Sequence, residues 1–191
     1  MPFIARIPKW FSARRAAQVT AFFADKEGGS INVLRATKLI YLSDRASMAE
    51  REYPVTGDNF VAMPFGPVNT YTYSLMNGEA EPPQTHIWAE FIGPRANYRV
   101  PLARPITIDD LDELSRSDIR ILEATWNAFK DIEKYELAEW THRFCPEWRD
   151  PAGSSVPIDF ATVFKRLDKA EPIELAEQLQ AERVLVASFA A

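Results

Sequence analysis

Residues 53–68 read Tyr53-Pro-Val-Thr-Gly-Asp58-Asn-Phe-Val-Ala-Met63-Pro-Phe-Gly66-Pro-Val68. This stretch packs a turn, a short strand, a second turn and a helix start into one continuous run. Pro54 fixes one backbone angle, and Gly57-Asp58 supplies the first turn. Asn59 to Met63 is predicted as a strand. Gly66 is predicted to cap a helix with Pro67 at its first position, where the missing N–H costs nothing. The stretch is rigid and holds no obvious nucleophile, so it reads as a shaped surface rather than a reaction centre.

Upstream, Ser12 is predicted to cap a first helix with Ala16, Val19, Thr20 and Phe23 on one face, ended by Gly28-Gly29. Ser30 is predicted to cap a second, from Ile31 to about Glu50. Its apolar residues fall nearly all round, which places it at the centre of the fold. Lys38 and Asp44 lie within it. Polar groups there need partners or a route to water, so Lys38 is expected to snorkel and Asp44 to bond the following turn. The alternative is a groove opening between helices.

Downstream, a third helix is expected over Val68–Met76, closed by Asn77-Gly78. Ile87–Ile92 and Tyr98–Leu102 read as strands that join Asn59–Met63 in a small antiparallel sheet. Asp109–Leu114 reads as a short helical turn. A helix capped by Ser115 or Ser117 carries Ile119, Leu122, Thr125, Trp126 and Phe129. Tyr135–Phe144 is a further helix, stopped before Pro146. Residues 149–155 form a linker, followed by helices over Phe160–Leu167 and Ile173–Phe189. Ile173, Leu175, Leu179, Val186 and Phe189 are the anchors expected of the last. The fold class is thus α+β, predominantly helical: a single domain with a small antiparallel sheet packed by helices.

Composition narrows the function classes. At 191 residues the chain can bury a core without disulfides or metals. Its five Trp, six Tyr and twelve Phe exclude intrinsic disorder. One cysteine, Cys145, admits no internal disulfide, so a reducing, cytoplasmic setting is expected. No signal-peptide core or membrane span is read from the sequence. Residues 1–51 carry nine Lys/Arg against four Asp/Glu, a net +5. The remainder carries thirteen against twenty-three, a net −10. Such polarity suits steering toward a complementary protein partner, or is a chance gradient on a solvated surface. Nucleic-acid binding is disfavoured, because the basic residues are spread and the whole is acidic.

Catalytic constellations are sparse. His142 and Cys145 are three apart, but Pro146 interrupts the helix there, and a locally bonded His beside a buried Cys is the favoured reading. No HExxH, CxxC, P-loop or GxGxxG pattern occurs. No metal and no cofactor is expected.

Four segments together resemble the Panacea domain, also called the SocA-like antitoxin domain. They are Lys38-Leu-Ile-Tyr-Leu-Ser-Asp44; Tyr53–Asp58 running on to Ala62–Val68; Leu114–Asp118; and Leu137–His142 with Pro146 and Trp148 beyond. They span roughly residues 14–150. Cys145 and Glu147 around Pro146 depart from the family pattern. The resemblance implies a bacterial or phage antitoxin, not an enzyme, that binds a cognate toxin protein directly. A proteolytic adaptor handing a toxin to an ATP-dependent protease is the alternative. It divides the chain into an arm (1–11), the family domain (12–150) and a helical extension (151–191). Lys38, Asp44, Thr56, Gly57, Asp58, Gly66, Pro67, His142 and Trp148 would be scaffold residues. Aromatic and Met side chains suit interface cores, which nominates Tyr41, Tyr53, Met63, Phe65, Tyr71 and Tyr73 for partner binding. The arm residues Phe3, Ile4, Ile7, Trp10 and Phe11, or the last helix, are expected either to meet the toxin or to pack on the domain's own core. The ending Ala190-Ala191 is a candidate degradation handle.

Overall fold

The computed structural model describes residues 5–189. In chain order the elements are α1 (Ala13–Lys26), β1 (Ser30–Asn32), α2 (Val33–Arg51), β2 (Phe60–Met63), β3 (Gly66–Asn69), α3 (Thr70–Asn77), α4 (Gln84–Ala89), β4 (Arg99–Pro101), α5 (Arg116–Phe129), α6 (Lys134–Phe144), β5 (Val156–Ile158), α7 (Phe160–Arg166) and α8 (Pro172–Phe189). The fold is α+β and predominantly helical, with one hydrophobic core running from Phe11 to Leu179.

Helix α2 is the axis of that core. Every residue from Arg35 to Asp44 is buried, including the charged ones. Helices α1, α5, α6 and α7 and strand β3 pack around it. Its cap is Asn32, not Ser30: the Asn32 side-chain oxygen accepts from Leu34 N at 3.0 Å and Arg35 N at 3.4 Å. Ser30 is taken up in β1, which pairs antiparallel with β4, Ile31 opposite Val100. Asn caps as well as Ser does, so the helix simply starts at the second good cap.

The small sheet expected as one unit is two. Strand β4 pairs with β1, while β2 sits between β3 and β5. Gly66-Pro67 does not open a helix. It begins β3, with Met63 opposite Gly66 and Phe60 opposite Asn69, so Pro64-Phe65 form the tip of a hairpin. Pro67 is tolerated because β3 is an edge strand. Helix α3 starts later, at Thr70, and ends at Gly78 with φ +71°.

Ile87–Ile92, read as a strand, lies in and just beyond helix α4. Trp88, Phe91 and Ile92 are all buried, at the i, i+3, i+4 spacing of a helix face. The segment after the 149–155 linker also returns to the sheet: Phe60 faces Ile158. Helix α8 follows, but of its expected anchors only Leu179 is buried and Leu175 partly so. Ile173, Val186 and Phe189 are exposed.

Candidate partner-binding site

Two polar clusters hold the β2–β3 hairpin. In the first, the Asp44 carboxylate accepts from Thr56 N (2.8 Å), Thr56 Oγ1 (2.5 Å) and Asn69 Nδ2 (2.6 Å). Burial pushes Asp44 up to about 7, against the pull of those three donors. In the second, Asp58 accepts from Asn59 N, Tyr71 N, Thr72 N and Thr72 Oγ1 at 2.7–3.0 Å. It thereby satisfies the first N–H groups of α3, a task that Gly66-Pro67 was expected to perform. Burial raises Asp58 to about 6.

Lys38 does not snorkel. Its side chain is fully buried, and Nζ donates to the Pro67 carbonyl at 2.7 Å. Desolvation brings the amine down to about 7. Gly66 closes over it with φ +98°, where a Cβ would meet Thr141 Oγ1 at 2.4 Å and Lys38 Cε at 3.2 Å. His142 stacks on Trp148, ring centroids 3.9 Å apart, and Trp148 Nε1 donates to the Met63 carbonyl at 2.9 Å. Lys38, Gly66, Pro67, His142 and Trp148 therefore converge on one face of the hairpin, and Asp44, Thr56, Gly57 and Asp58 on its base.

This hairpin presents a groove of about 530 Å³ whose lining includes Thr37, Lys38, Met63, Phe65, Tyr73, Arg95, Tyr98, Lys134 and Tyr135. Phe65, Tyr98 and Tyr135 are 59%, 72% and 56% exposed, an unusual gathering of bare rings. The Phe65 and Tyr135 centroids lie 6.4 Å apart.

The six residues nominated for partner binding are thus divided. Met63, Phe65 and Tyr73 share the groove. Tyr41 cannot: it is fully buried, and its hydroxyl donates to the Glu147 carboxylate at 2.5 Å. Tyr71 packs against Trp10 and Phe11, with centroids 5.7 and 5.4 Å away. Tyr53 lies under the Arg51 guanidinium at 4.5 Å, on another face beside Trp10 and α8. Ile7, Trp10 and Phe11 of the arm pack on the chain's own core. Phe3, Ile4, Ala190 and Ala191 lie outside the described residues. Sequence reading missed Tyr98 and Tyr135, which single exposed aromatics in loops and first turns do not announce. It also missed Arg183, which reaches from α8 to Asn59 Oδ1 and the carbonyls of Gly57 and Asp58 at 2.6–3.0 Å.

Five of the nine basic residues at the start of the chain pair with carboxylates of the same fold. Arg14 pairs with Glu90 and Asp112, Arg15 and Arg51 with Asp118, Arg35 with Glu27, and Arg45 with Glu147. Four of those five acids belong to the acidic remainder, so the charge polarity along the chain serves its own packing. Asp118 also forms the capping box of α5 with Ser115.

Chemistry at Cys145 has little support. The thiol is buried, and desolvation pushes it up to about 12, so it stays protonated. His142 is lowered by burial and faces Trp148. Among the described residues no His, Cys, Asp and Glu cluster could hold a metal, and no helix is long and apolar enough to cross a membrane.

A family model described as "Antitoxin SocA-like, Panacea domain" matches residues 37–149, well over half of the chain. The match begins within α2 and ends before β5, so it includes the hairpin and α6. No match was found among curated proteins or among solved structures. The chain belongs to the SocA-like antitoxin family, Panacea domain.

Proposed function

We propose that this chain is the antitoxin of a toxin–antitoxin pair and neutralises its cognate toxin by direct binding at the hairpin groove. It acts by occlusion, as a preformed surface, in the cytoplasm and without chemistry of its own. The observation that carries this reading is the gathering of three exposed rings, Phe65, Tyr98 and Tyr135, around one groove in a member of an antitoxin family. Aromatic side chains in a concave, rigid setting are the usual anchors of a protein interface. Rigidity comes from the buried Asp44 and Asp58 clusters, which lower the ordering cost of binding. A toxin is usually encoded beside its antitoxin, so co-expression with the product of the adjacent gene tests it. Wild type should restore growth, and a Phe65→Ala/Tyr135→Ala variant that remains folded should not.

A second reading has its own observation. Val184, Leu185, Val186 and Phe189 are exposed at the end of α8, beyond the family-matched segment. An adaptor that delivers a toxin to an ATP-dependent protease needs a second docking surface, and this one is separate from the groove. Toxin half-life measured with and without this chain distinguishes the two: shortening favours delivery, no change favours occlusion.

A further inference from the structure

We propose that the groove's occupant is an acidic segment of the toxin carrying an aromatic side chain: its ring sits among Phe65, Tyr98 and Tyr135, and its carboxylates face Arg95 and Lys134. The proposal rests on the antitoxin reading above and specifies the chemistry of the partner.

The molecule carries −5 overall, yet among the described residues the groove lining holds Arg95 and Lys134, with Lys38 buried beneath, and no Asp or Glu. On α1 and α2, by contrast, Arg14, Arg15, Arg35, Arg45 and Arg51 each meet a carboxylate. Arg95 is different. Among the described residues it has no carboxylate within pairing distance. It hydrogen-bonds the neutral Asn77 side chain and lies 5.5 Å from the Tyr98 ring. Lys38, buried beneath the floor, donates to the Pro67 carbonyl and is out of a ligand's reach. Lys134 pairs with Glu133 at 2.9 Å and lies 4.7 Å from the Tyr135 ring, so it contributes a shared charge.

Positive charge set beside aromatic rings favours a ligand that supplies both a ring and an anion. A carboxylate meets Arg95 in the bidentate geometry guanidinium prefers, while the rings contribute area and edge-to-face contacts. A basic segment would meet like charge, and a purely aliphatic one would leave Arg95 without an anion.

The test uses three synthetic peptides titrated into the isotope-labelled full chain, followed by NMR at low and high salt. They are Asp-Glu-Trp-Glu-Asp, its amide isostere Asn-Gln-Trp-Gln-Asn, and Asp-Glu-Ala-Glu-Asp. The first should bind saturably, moving resonances of Phe65, Tyr98 and Tyr135. The other two should bind at least about tenfold more weakly, and Arg95→Glu should weaken the first by at least about tenfold. Arg95 is exposed, so the variant retains the fold. Equal binding of the amide peptide, an unchanged affinity in Arg95→Glu, or no saturable binding of the first peptide at millimolar concentration would overturn the proposal. The toxin assay separates the two levels. If Arg95→Glu neutralises the adjacent gene product as well as wild type does, the acidic-segment proposal fails and the antitoxin reading stands. If wild type itself does not neutralise, the antitoxin reading fails.

Discussion

Arg183 of α8 donates to the Gly57 carbonyl at 2.6 Å, tying the last helix to the turn that opens the hairpin. The same guanidinium reaches the Asp58 carbonyl and Asn59 Oδ1, and stacks between Trp10 and Phe160 at 4.0 and 4.6 Å. Residues outside the family-matched segment therefore brace a motif inside it.

Replacing Arg183 by Met should cost on the order of 2–3 kcal/mol, from lost charged hydrogen bonds and lost cation–π contact. Urea unfolding measures it. A change below about 0.5 kcal/mol would mean that α8 is dispensable to the hairpin.

Gly66 is the position least able to accept a side chain. Ala there would need a positive φ and would place Cβ 2.4 Å from Thr141 Oγ1. Gly66→Ala should destabilise by roughly 2 kcal/mol or more. Adding Thr141→Ala removes the clashing atom but not the backbone strain, so the double variant should recover only part of the loss. Full recovery would show that strain at Gly66 is negligible.

Lys38 and Asp44 give the stability a distinctive pH profile. The Lys38 amine titrates near 7 in the fold, below its ordinary 10.5. Between those values the unfolded chain binds the extra proton, so stability rises with pH from about 7 upward, with a slope approaching about 1.4 kcal/mol per unit. Asp44 titrates near 7 and Asp58 near 6, above their ordinary 3.8. There the folded chain holds the extra protons, so their contribution is lost as pH rises from about 4 to 7. The two effects meet in a minimum near neutrality. Lys38→Met should abolish the rise above pH 7 in denaturant melts at a series of pH values. A variant with the wild-type alkaline slope would refute the assignment.

Cys145 should be inert. Buried and held protonated, it should resist a thiol reagent at pH 8 in the native chain and react on unfolding. Cys145→Ser should leave neutralisation intact. Rapid native labelling, or loss of activity in the Ser variant, would reopen a chemical role.

The helical frame was legible because its signals are local. Ser12 and Ser115 accept the amide hydrogen bonds of caps as expected, and the all-round apolar pattern of α2 matches its burial. The errors arose where a local signal was outvoted by a distant partner. Gly66-Pro67 looks like a helix start until β2 pairs with it, and Ser30 looks like a cap until β4 arrives from Arg99–Pro101. The groove was half legible. Met63, Phe65 and Tyr73 are close in sequence to the hairpin, whereas Tyr98, Tyr135 and Arg95 reach it only through tertiary packing. Tyr41 shows the limit of residue type as a guide: the preference of aromatics for interfaces says nothing about which ones the core keeps. Glu147, noticed only as a departure from the family pattern, is the buried acid that Tyr41 and Arg45 share.

The most direct test of the central claim is growth rescue by co-expression with the product of the adjacent gene, comparing wild type, Phe65→Ala/Tyr135→Ala, and a Val184→Ala/Leu185→Ala control at equal soluble levels. The groove account predicts rescue by wild type and by the control, and loss of rescue in the Phe65/Tyr135 variant. Full rescue by that variant would contradict it.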